Sequence, residues 1–121
     1  MIMKTEGLYK EKRPWGTYEI LLDSEYCKVK EITVDRGHRL SYQYHYKRSE
    51  VWTIVKGTGK VVLNDEEVSI YAGDVIQIPQ GMKHRIQNNG ESKLIFIEVQ
   101  QGTYFGEDDI EIGRASCRER V

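Results

Sequence analysis

The chain has 121 residues, a length typical of one domain rather than two. Its 18 Lys and Arg residues nearly balance its 19 Asp and Glu residues, which argues against binding to nucleic acid or to a membrane surface through net charge. The hydrophobic fraction of 39% is enough for a core, while no apolar run approaches the ~20 residues that a spanning helix needs. The first residues lack the apolar segment of a signal peptide, and two cysteines are too few for a disulfide framework. These features predict a small cytoplasmic protein without nucleic-acid or membrane partners.

The composition favours β structure, because Val and Ile together number 22 against 6 Leu and 2 Ala. Short strand-like runs alternate with turn signals, and no segment shows a helical period. The nine predicted strands cover residues 17–22, 27–34, 40–46, 51–56, 60–63, 67–71, 75–79, 84–87 and 93–99. Asn64-Asp65 is predicted to form a hairpin turn. This pattern predicts an all-β domain built as an antiparallel sandwich or small barrel.

The last nine residues, 113–121, differ from the rest of the chain. They read GRASCRERV, without periodicity, and resemble sequence left behind by a vector or by read-through. The folded domain is therefore expected to span residues 1–112, with the charged N-terminal stretch as an arm.

Two clusters of polar residues are punctuated by glycines. The first is Gly37-x5-Gln43-x-His45-x4-Glu50-x6-Gly57, and the second is Gly73-x5-Pro79-x-Gly81-x2-His84-x3-Asn88. Because side chains alternate along a strand, Gln43 and His45 share one face. Glu50 and His84 each share a face with apolar residues of their own strands. If those apolar faces line a barrel, all four polar side chains converge inside it.

Two imidazoles, a carboxylate and an amide oxygen form a mixed nitrogen and oxygen ligand set for a divalent metal. We therefore predict that Gln43, His45, Glu50 and His84 hold one divalent ion. Zinc is favoured, with manganese, iron, cobalt and nickel as alternatives. Any one of these residues alone would be read as an ordinary core or surface residue; four of them in two glycine-punctuated strand pairs favour the metal site.

Both clusters resemble the two cupin motifs, with Gln43 where many cupins carry a histidine. Further segments resemble the C-terminal cupin domain of type II phosphomannose isomerases: Arg13-Pro14-Trp15-Gly16, Leu40-Ser41-x-Gln43, Arg48-x-Glu50-x-Trp52, Ile97-Glu98-Val99-Gln100 and Gly106-Glu107-Asp108-Asp109-Ile110. The resemblance implies the cupin double-stranded β-helix, or jelly roll. It also implies a mannose-6-phosphate isomerase, which interconverts mannose 6-phosphate and fructose 6-phosphate. Nucleotidyl transfer is not expected, because the chain has no glycine-rich nucleotide loop.

Under this hypothesis, the metal acts as a Lewis acid on the sugar phosphate, and a base must move a proton. A carboxylate that binds the metal is a poor base, so Lys30 and Glu98 are the candidates. Because side chains alternate along a strand, Lys30 lies on the same face as the apolar residues of its strand. This position fits either a pocket lysine that also binds substrate or a strand-end lysine that reaches water. Arg48 and Arg85 match the resembled family and are candidates to bind phosphate. Arg85 follows His84 directly, so its side chain is expected on the opposite face of the strand, which favours a surface ion pair instead.

Two other functions stay open. Where the family usually shows three histidines, this chain has His45-Tyr46-Lys47, which favours a sugar-binding or regulatory cupin that keeps the metal without turnover. A metal-dependent dioxygenase has the same fold, but Gln43 in place of a third histidine argues against it.

Tyr42, Tyr44 and Tyr46 alternate with Gln43 and His45, so we expect them on the outer face of their strand. Three neighbouring aromatic side chains on one open face predict a homodimer through this stripe. Trp15 is expected to anchor the N-terminal segment rather than to touch substrate. The run Glu107-Asp108-Asp109 is expected to be a solvated turn.

Overall fold

The computed structural model describes residues 7–112, which form two antiparallel β-sheets. The strands are β1 (Tyr9–Arg13), β2 (Gly16–Asp23), β3 (Cys27–Val34), β4 (Gln43–His45), β5 (Arg48–Lys56), β6 (Thr58–Leu63), β7 (Glu66–Tyr71), β8 (Val75–Ile78), β9 (His84–Gln87), β10 (Leu94–Gly102) and β11 (Ile110–Ile112), with a 3₁₀-helix at Glu107–Asp109. One sheet has the order β1-β2-β3-β10-β5-β8, and the other has the order β11-β4-β9-β6-β7. The predicted antiparallel all-β architecture is confirmed.

The hydrophobic core lies between the inward faces of the two sheets. Strand β5 shows the period of two clearly, since its side chains alternate between buried and partly exposed from Arg48 to Ile54. The core members are almost all branched aliphatic or aromatic: Ile32, Val34, Trp52, Ile54, Val61, Ile70, Ile76, Ile78, Ile86, Leu94 and Phe96. This packing holds the polar residues of β4, β5, β9 and β10 at one end of the same interior.

The predicted hairpin turn between β6 and β7 is confirmed. Asn64 and Asp65 both have positive φ angles, 45° and 72°, as a two-residue type I′ loop requires. The hydroxyl of Tyr42 accepts a hydrogen bond from the Asp65 amide at 2.8 Å and donates one to Asp65 Oδ1 at 2.7 Å. A side chain from the segment just before β4 therefore holds this turn.

Gly57, the last residue of the first polar cluster, separates β5 from β6. Its φ is +90°, and a Cβ atom there would lie 2.6 Å from the carbonyl oxygen of Lys93. Both the backbone angle and the close approach of β10 require glycine at this position.

All nine predicted strands are present, and two strands were not predicted. Strand β1 reads YKEKR and is largely exposed, so it carries no apolar alternation; it forms because its backbone pairs with β2 at the sheet edge. Strand β11 has three residues and pairs with β4. The N-terminal arm that was expected is thus in part an edge strand, and the segment 113–121 lies outside the described residues. Among residues 7–112, no helix is long and apolar enough to cross a membrane.

Candidate metal centre and cavity

A cavity of about 380 Å³ lies between the two sheets, within the size range of small-molecule sites. Its floor is formed by core residues such as Trp52 and Ile86. Its walls are polar and include Gln43, Glu50 and His84 from the two predicted clusters. The structure therefore brings three of the four predicted metal ligands to one cavity.

His45, Glu50 and His84 form a buried cluster at this cavity. One ligand atom from each residue lies within 4.8 Å of the other two. Nε2 of His45 lies 3.2 Å from Glu50 Oε2, and Nε2 of His84 lies 3.8 Å from Glu50 Oε1. The three residues come from the end of β4, from β5 and from the start of β9, so the cluster forms only when the two sheets pack together.

The orientation of both imidazole rings is determined by backbone carbonyls. Nδ1 of His84 lies 2.9 Å from the carbonyl oxygen of Met82, and Nδ1 of His45 lies 3.3 Å from that of Asp109. A carbonyl oxygen only accepts hydrogen bonds, so each Nδ1 is the donor in its contact, and each Nε2, on the side of Glu50, is the nitrogen that could bind a metal ion. Metal-binding histidines show this arrangement in proteins.

The charge states of the cluster suit a cation. Burial opposes ionisation of Glu50, but a hydrogen bond from His45 and the charge of Arg48 outweigh it and hold the pKa of this carboxyl well below its usual range. Burial lowers the pKa of His84, which keeps this imidazole neutral and able to bind a metal. Zn²⁺ binds unprotonated imidazole nitrogens and ionised carboxylates, and two histidines beside an ionised Glu50 can supply these ligands, so the residues present fit a divalent metal ion.

Gln43 lies beside this cluster. It is the direct cross-strand partner of His84 and lines the cavity. Its Nε2 donates a hydrogen bond to Ser41 Oγ at 2.7 Å, which leaves the amide oxygen as the group able to bind a cation.

Lys30, Glu98 and Gln100 form the wall of the cavity beside Glu50. In the register of the six-stranded sheet, Glu98 faces Lys30 on one side, and Gln100 faces Glu50 on the other. Burial and the neighbouring Glu50 carboxylate together raise the pKa of Glu98 to about 8, against the opposing effect of the Lys30 ammonium. Glu98 is therefore protonated at neutral pH, and Gln100 Nε2 donates to its Oε1 at 2.6 Å.

Comparison with known proteins identifies the family. Residues 4–114 match the family described as Mannose-6-phosphate isomerase C-terminal. The chain belongs to this family. It is 44% identical over 98 residues to the mannose-1-phosphate guanylyltransferase of Salmonella montevideo, covering 81% of this chain and 21% of that protein. It is also 44% identical over 109 residues to the xanthan biosynthesis protein XanB of Xanthomonas campestris, covering 88% of this chain and 23% of that protein.

A solved structure supports the same fold. An uncharacterized conserved protein with a double-stranded beta-helix domain from Klebsiella pneumoniae superposes with a TM-score of 0.72 at 20% identity, covering 79% of this chain and 82% of that chain. The predicted cupin double-stranded β-helix is confirmed, as is the resemblance to the C-terminal cupin domain of the family.

The prediction that this chain is a mannose-6-phosphate isomerase is wrong. The curated relatives are named as a guanylyltransferase and a xanthan biosynthesis protein, and the chain spans about a fifth of their length. The motif residues build a cavity and a cluster that could hold a metal ion, features that one fold can offer to many reactions, so family membership identifies the domain without establishing its reaction. The relatives do include an enzyme of mannose metabolism.

Among the predicted substrate ligands of this family member, Arg48 has a different environment from the one expected. Its Nε donates to Glu50 Oε2 at 3.0 Å, and its Nη1 donates to the carbonyl oxygen of Phe105 at 3.3 Å. Nη2 lies 3.4 Å from His45 Nε2. Arg48 therefore supports the cluster directly, although it also lines the cavity.

The prediction that Arg85 lies at the surface is wrong. Arg85 is only 7% exposed, lines the cavity, and lies with its guanidinium carbon 5.6 Å from the ring centroid of Tyr42. Parity along β9 does not separate inside from outside here, because residues on both faces of this strand are buried. Trp15, expected only to anchor the N-terminal segment, packs on the core and also lines the cavity.

The prediction that three tyrosines form an open stripe at the surface is also wrong in part. Tyr42 is 3% exposed, because the turn at Asp65 and the side chain of Arg85 cover it. Tyr44 and Tyr46 remain together at the surface, with ring centroids 5.3 Å apart in an edge-to-face arrangement. A dimer through the two remaining rings stays a prediction.

Asp109 is a site-supporting residue that the sequence analysis missed. It lies in the run expected to be a solvated turn, yet it is 7% exposed. Its carboxylate accepts hydrogen bonds from the amides of Tyr46 and Lys47 at 3.3 and 2.9 Å, and its carbonyl orients His45. Consecutive acidic residues give no sequence signal for this role, since Glu107 and Asp108 beside it are exposed.

Proposed function

We propose that this chain is a metal-dependent cupin domain that binds a phosphorylated sugar, as part of an enzyme of mannose metabolism. His45, Glu50 and His84 are the protein ligands of one divalent ion, and zinc is the first candidate, because two histidines and a carboxylate with an open position form a common catalytic zinc set. The observation that carries the proposal is the buried convergence of these three side chains, with both Nε2 atoms directed at Glu50.

Gln43 is the proposed fourth protein ligand, through its amide oxygen. It lies across from His84 and uses its Nε2 on Ser41, so its oxygen is available towards the cluster. When bound, the metal supplies Lewis-acid polarisation of a ligand oxygen. Such an ion also compensates the negative charge that Glu50 brings into the interior.

The remaining groups of the cavity suit a polyhydroxylated anion. Lys30 supplies ammonium donors, and Arg85 supplies a guanidinium group that matches phosphate geometry, whereas the guanidinium of Arg48 contacts Glu50, Phe105 and His45. Glu98 is protonated at neutral pH, so we propose it as a proton donor to a sugar oxygen rather than as the base that the sequence suggested. The phosphate in the name of the guanylyltransferase relative supports the choice of ligand class.

Metal analysis tests the first half of this proposal. Protein purified without chelator is expected to contain about one equivalent of divalent metal. The double variant His45→Ala, His84→Ala should lose most of it. His38, which is exposed and outside the cluster, provides the matched control, and His38→Ala should keep the wild-type content. Full occupancy in the double variant would overturn the assignment.

Calorimetry tests the second half. Metal-loaded protein is titrated with mannose 1-phosphate, mannose 6-phosphate and fructose 6-phosphate, and the titrations are repeated after chelation. We expect at least one of these sugar phosphates to bind, and binding to be lost with the metal. Metal-loaded protein that binds none of the three contradicts the sugar-phosphate proposal while leaving the metal site intact.

A further inference from the structure

Strand β10 carries two polar side chains into the interior at adjacent inward positions. Glu98 and Gln100 are 6% and 1% exposed, and both line the cavity. Residues two apart on a strand share a face, so the side chains lie side by side, and Gln100 Nε2 donates to Glu98 Oε1 at 2.6 Å. This contact uses the NH₂ group of the Gln100 amide as the donor, and the carbonyl oxygen Oε1 takes no part in it.

Within residues 7–112, the acceptor end of Gln100 has no hydrogen-bond partner. Its Oε1 is fully buried, and no donor of the described residues is hydrogen-bonded to it. Native proteins rarely leave a buried side-chain carbonyl unsatisfied, and a bound molecule is a common reason when they do. The cavity that Gln100 lines is where such a molecule would lie.

The register of the sheet places this acceptor beside the metal cluster. Gln100 is the direct cross-strand partner of Glu50, and directly opposed residues in an antiparallel pair have Cβ atoms about 5 Å apart. A ligand with one oxygen at the cluster therefore brings the substituent of a neighbouring carbon towards Gln100. A carbonyl oxygen with only lone pairs accepts a hydroxyl hydrogen and does not bind a keto or phosphate oxygen.

We infer that Gln100 is a specificity-determining residue whose side-chain carbonyl accepts a hydrogen bond from a ligand hydroxyl next to the oxygen at the metal cluster. This inference rests on the proposed function, which it deepens by assigning one hydroxyl-recognising position. The amide of Gln100 has a second, positioning role, because it holds Glu98 in place through Oε1. The pair thus presents an acceptor and an acid group on the same wall.

The test combines Gln100→Met with hydroxyl deletion in the ligand. Methionine has a similar length and no hydrogen-bonding amide, and Gln101→Met is the matched control, since Gln101 follows on the same strand, on the opposite face, and is exposed. Metal-loaded wild type and both variants are titrated with mannose 6-phosphate and its 2-deoxy, 3-deoxy and 4-deoxy analogues. Metal content and circular dichroism are measured on the same samples.

Wild type and Gln101→Met are expected to bind one deoxy analogue roughly tenfold more weakly than mannose 6-phosphate, as loss of a hydrogen bond to a buried acceptor predicts. Gln100→Met should keep the metal, bind mannose 6-phosphate about tenfold more weakly, and bind that analogue as well as the parent compound. Retained discrimination in Gln100→Met overturns the inference alone. Wild type that binds every analogue equally also overturns it, and shows that only ordered water meets the Gln100 carbonyl. Metal-loaded wild type that binds no sugar phosphate overturns the proposed function and this inference together.

Discussion

Replacing Glu50 by glutamine keeps the shape of the side chain and removes its charge. One carboxylate oxygen accepts from Arg48 Nε at 3.0 Å and the other from the indole of Trp52 at 3.0 Å. An amide has a single acceptor oxygen, so one of these donors must face an NH₂ group. Glu50 and Arg48 are 2% and 4% exposed, which leaves the guanidinium as a buried charge without its nearest counterion.

The expected loss in the free energy of unfolding is about 3 kcal/mol, at the lower end of the range for breaking a buried ion pair. The lower end applies because Arg48 still donates to the carbonyl oxygen of Phe105. The measurement is urea unfolding of chelator-treated protein, so that lost metal binding does not contribute.

Glu107 provides the control within the same network. It lies 3.9 Å from Arg48 Nη1, but its side chain is 70% exposed. Because an exposed ion pair contributes little, Glu107→Gln should lower the free energy of unfolding by less than about 1 kcal/mol. Equal losses for Glu50→Gln and Glu107→Gln, or a loss below about 1 kcal/mol for Glu50→Gln, would refute the reasoning from burial.

Three further predictions concern residues around the site. Asp109→Asn keeps the backbone carbonyl at His45 but leaves one of the Tyr46 and Lys47 amides without its acceptor, and should lower the free energy of unfolding by about 1–3 kcal/mol in urea. The same change at the exposed neighbour Asp108 should alter it by less than about 0.5 kcal/mol, and equal losses at the two positions would contradict the assignment. Tyr42→Phe removes the hydroxyl that holds the hairpin turn and should lower the free energy of unfolding by about 1–3 kcal/mol in urea; no loss would show that water replaces the hydroxyl. If the chain is a homodimer through its outer aromatic face, Tyr44→Ser with Tyr46→Ser should shift its sedimentation to that of a monomer, and an unchanged dimer would place the interface elsewhere.

Local patterns determined the strands and the ligand types. Strand β3 was predicted with its observed bounds, Cys27–Val34, because alternation and flanking turn residues are properties of the local chain. The inward face of β5 was predicted correctly for the same reason, since Glu50, Trp52 and Ile54 share a parity that does not depend on the partner strand. The two glycine-punctuated clusters likewise predicted a mixed nitrogen and oxygen ligand set inside a β-barrel, and their resemblance to the cupin motifs predicted the fold family.

Only the tertiary structure decided which polar groups are enclosed and what each one contacts. Tyr42 and Arg85 were assigned to the surface by parity, yet both are buried because both faces of their region are covered. Asp109 lies in an acidic run, and only the packing of β11 against β4 brings its carbonyl to His45. The acceptor of Gln100 beside Glu50 likewise depends on the register between β10 and β5. Alternation along a strand is a local steric property, whereas burial and pairing depend on residues distant in sequence. The sequence by itself therefore determined the strands and the types of ligand residue. The packing of the two sheets decided which of these residues form the site.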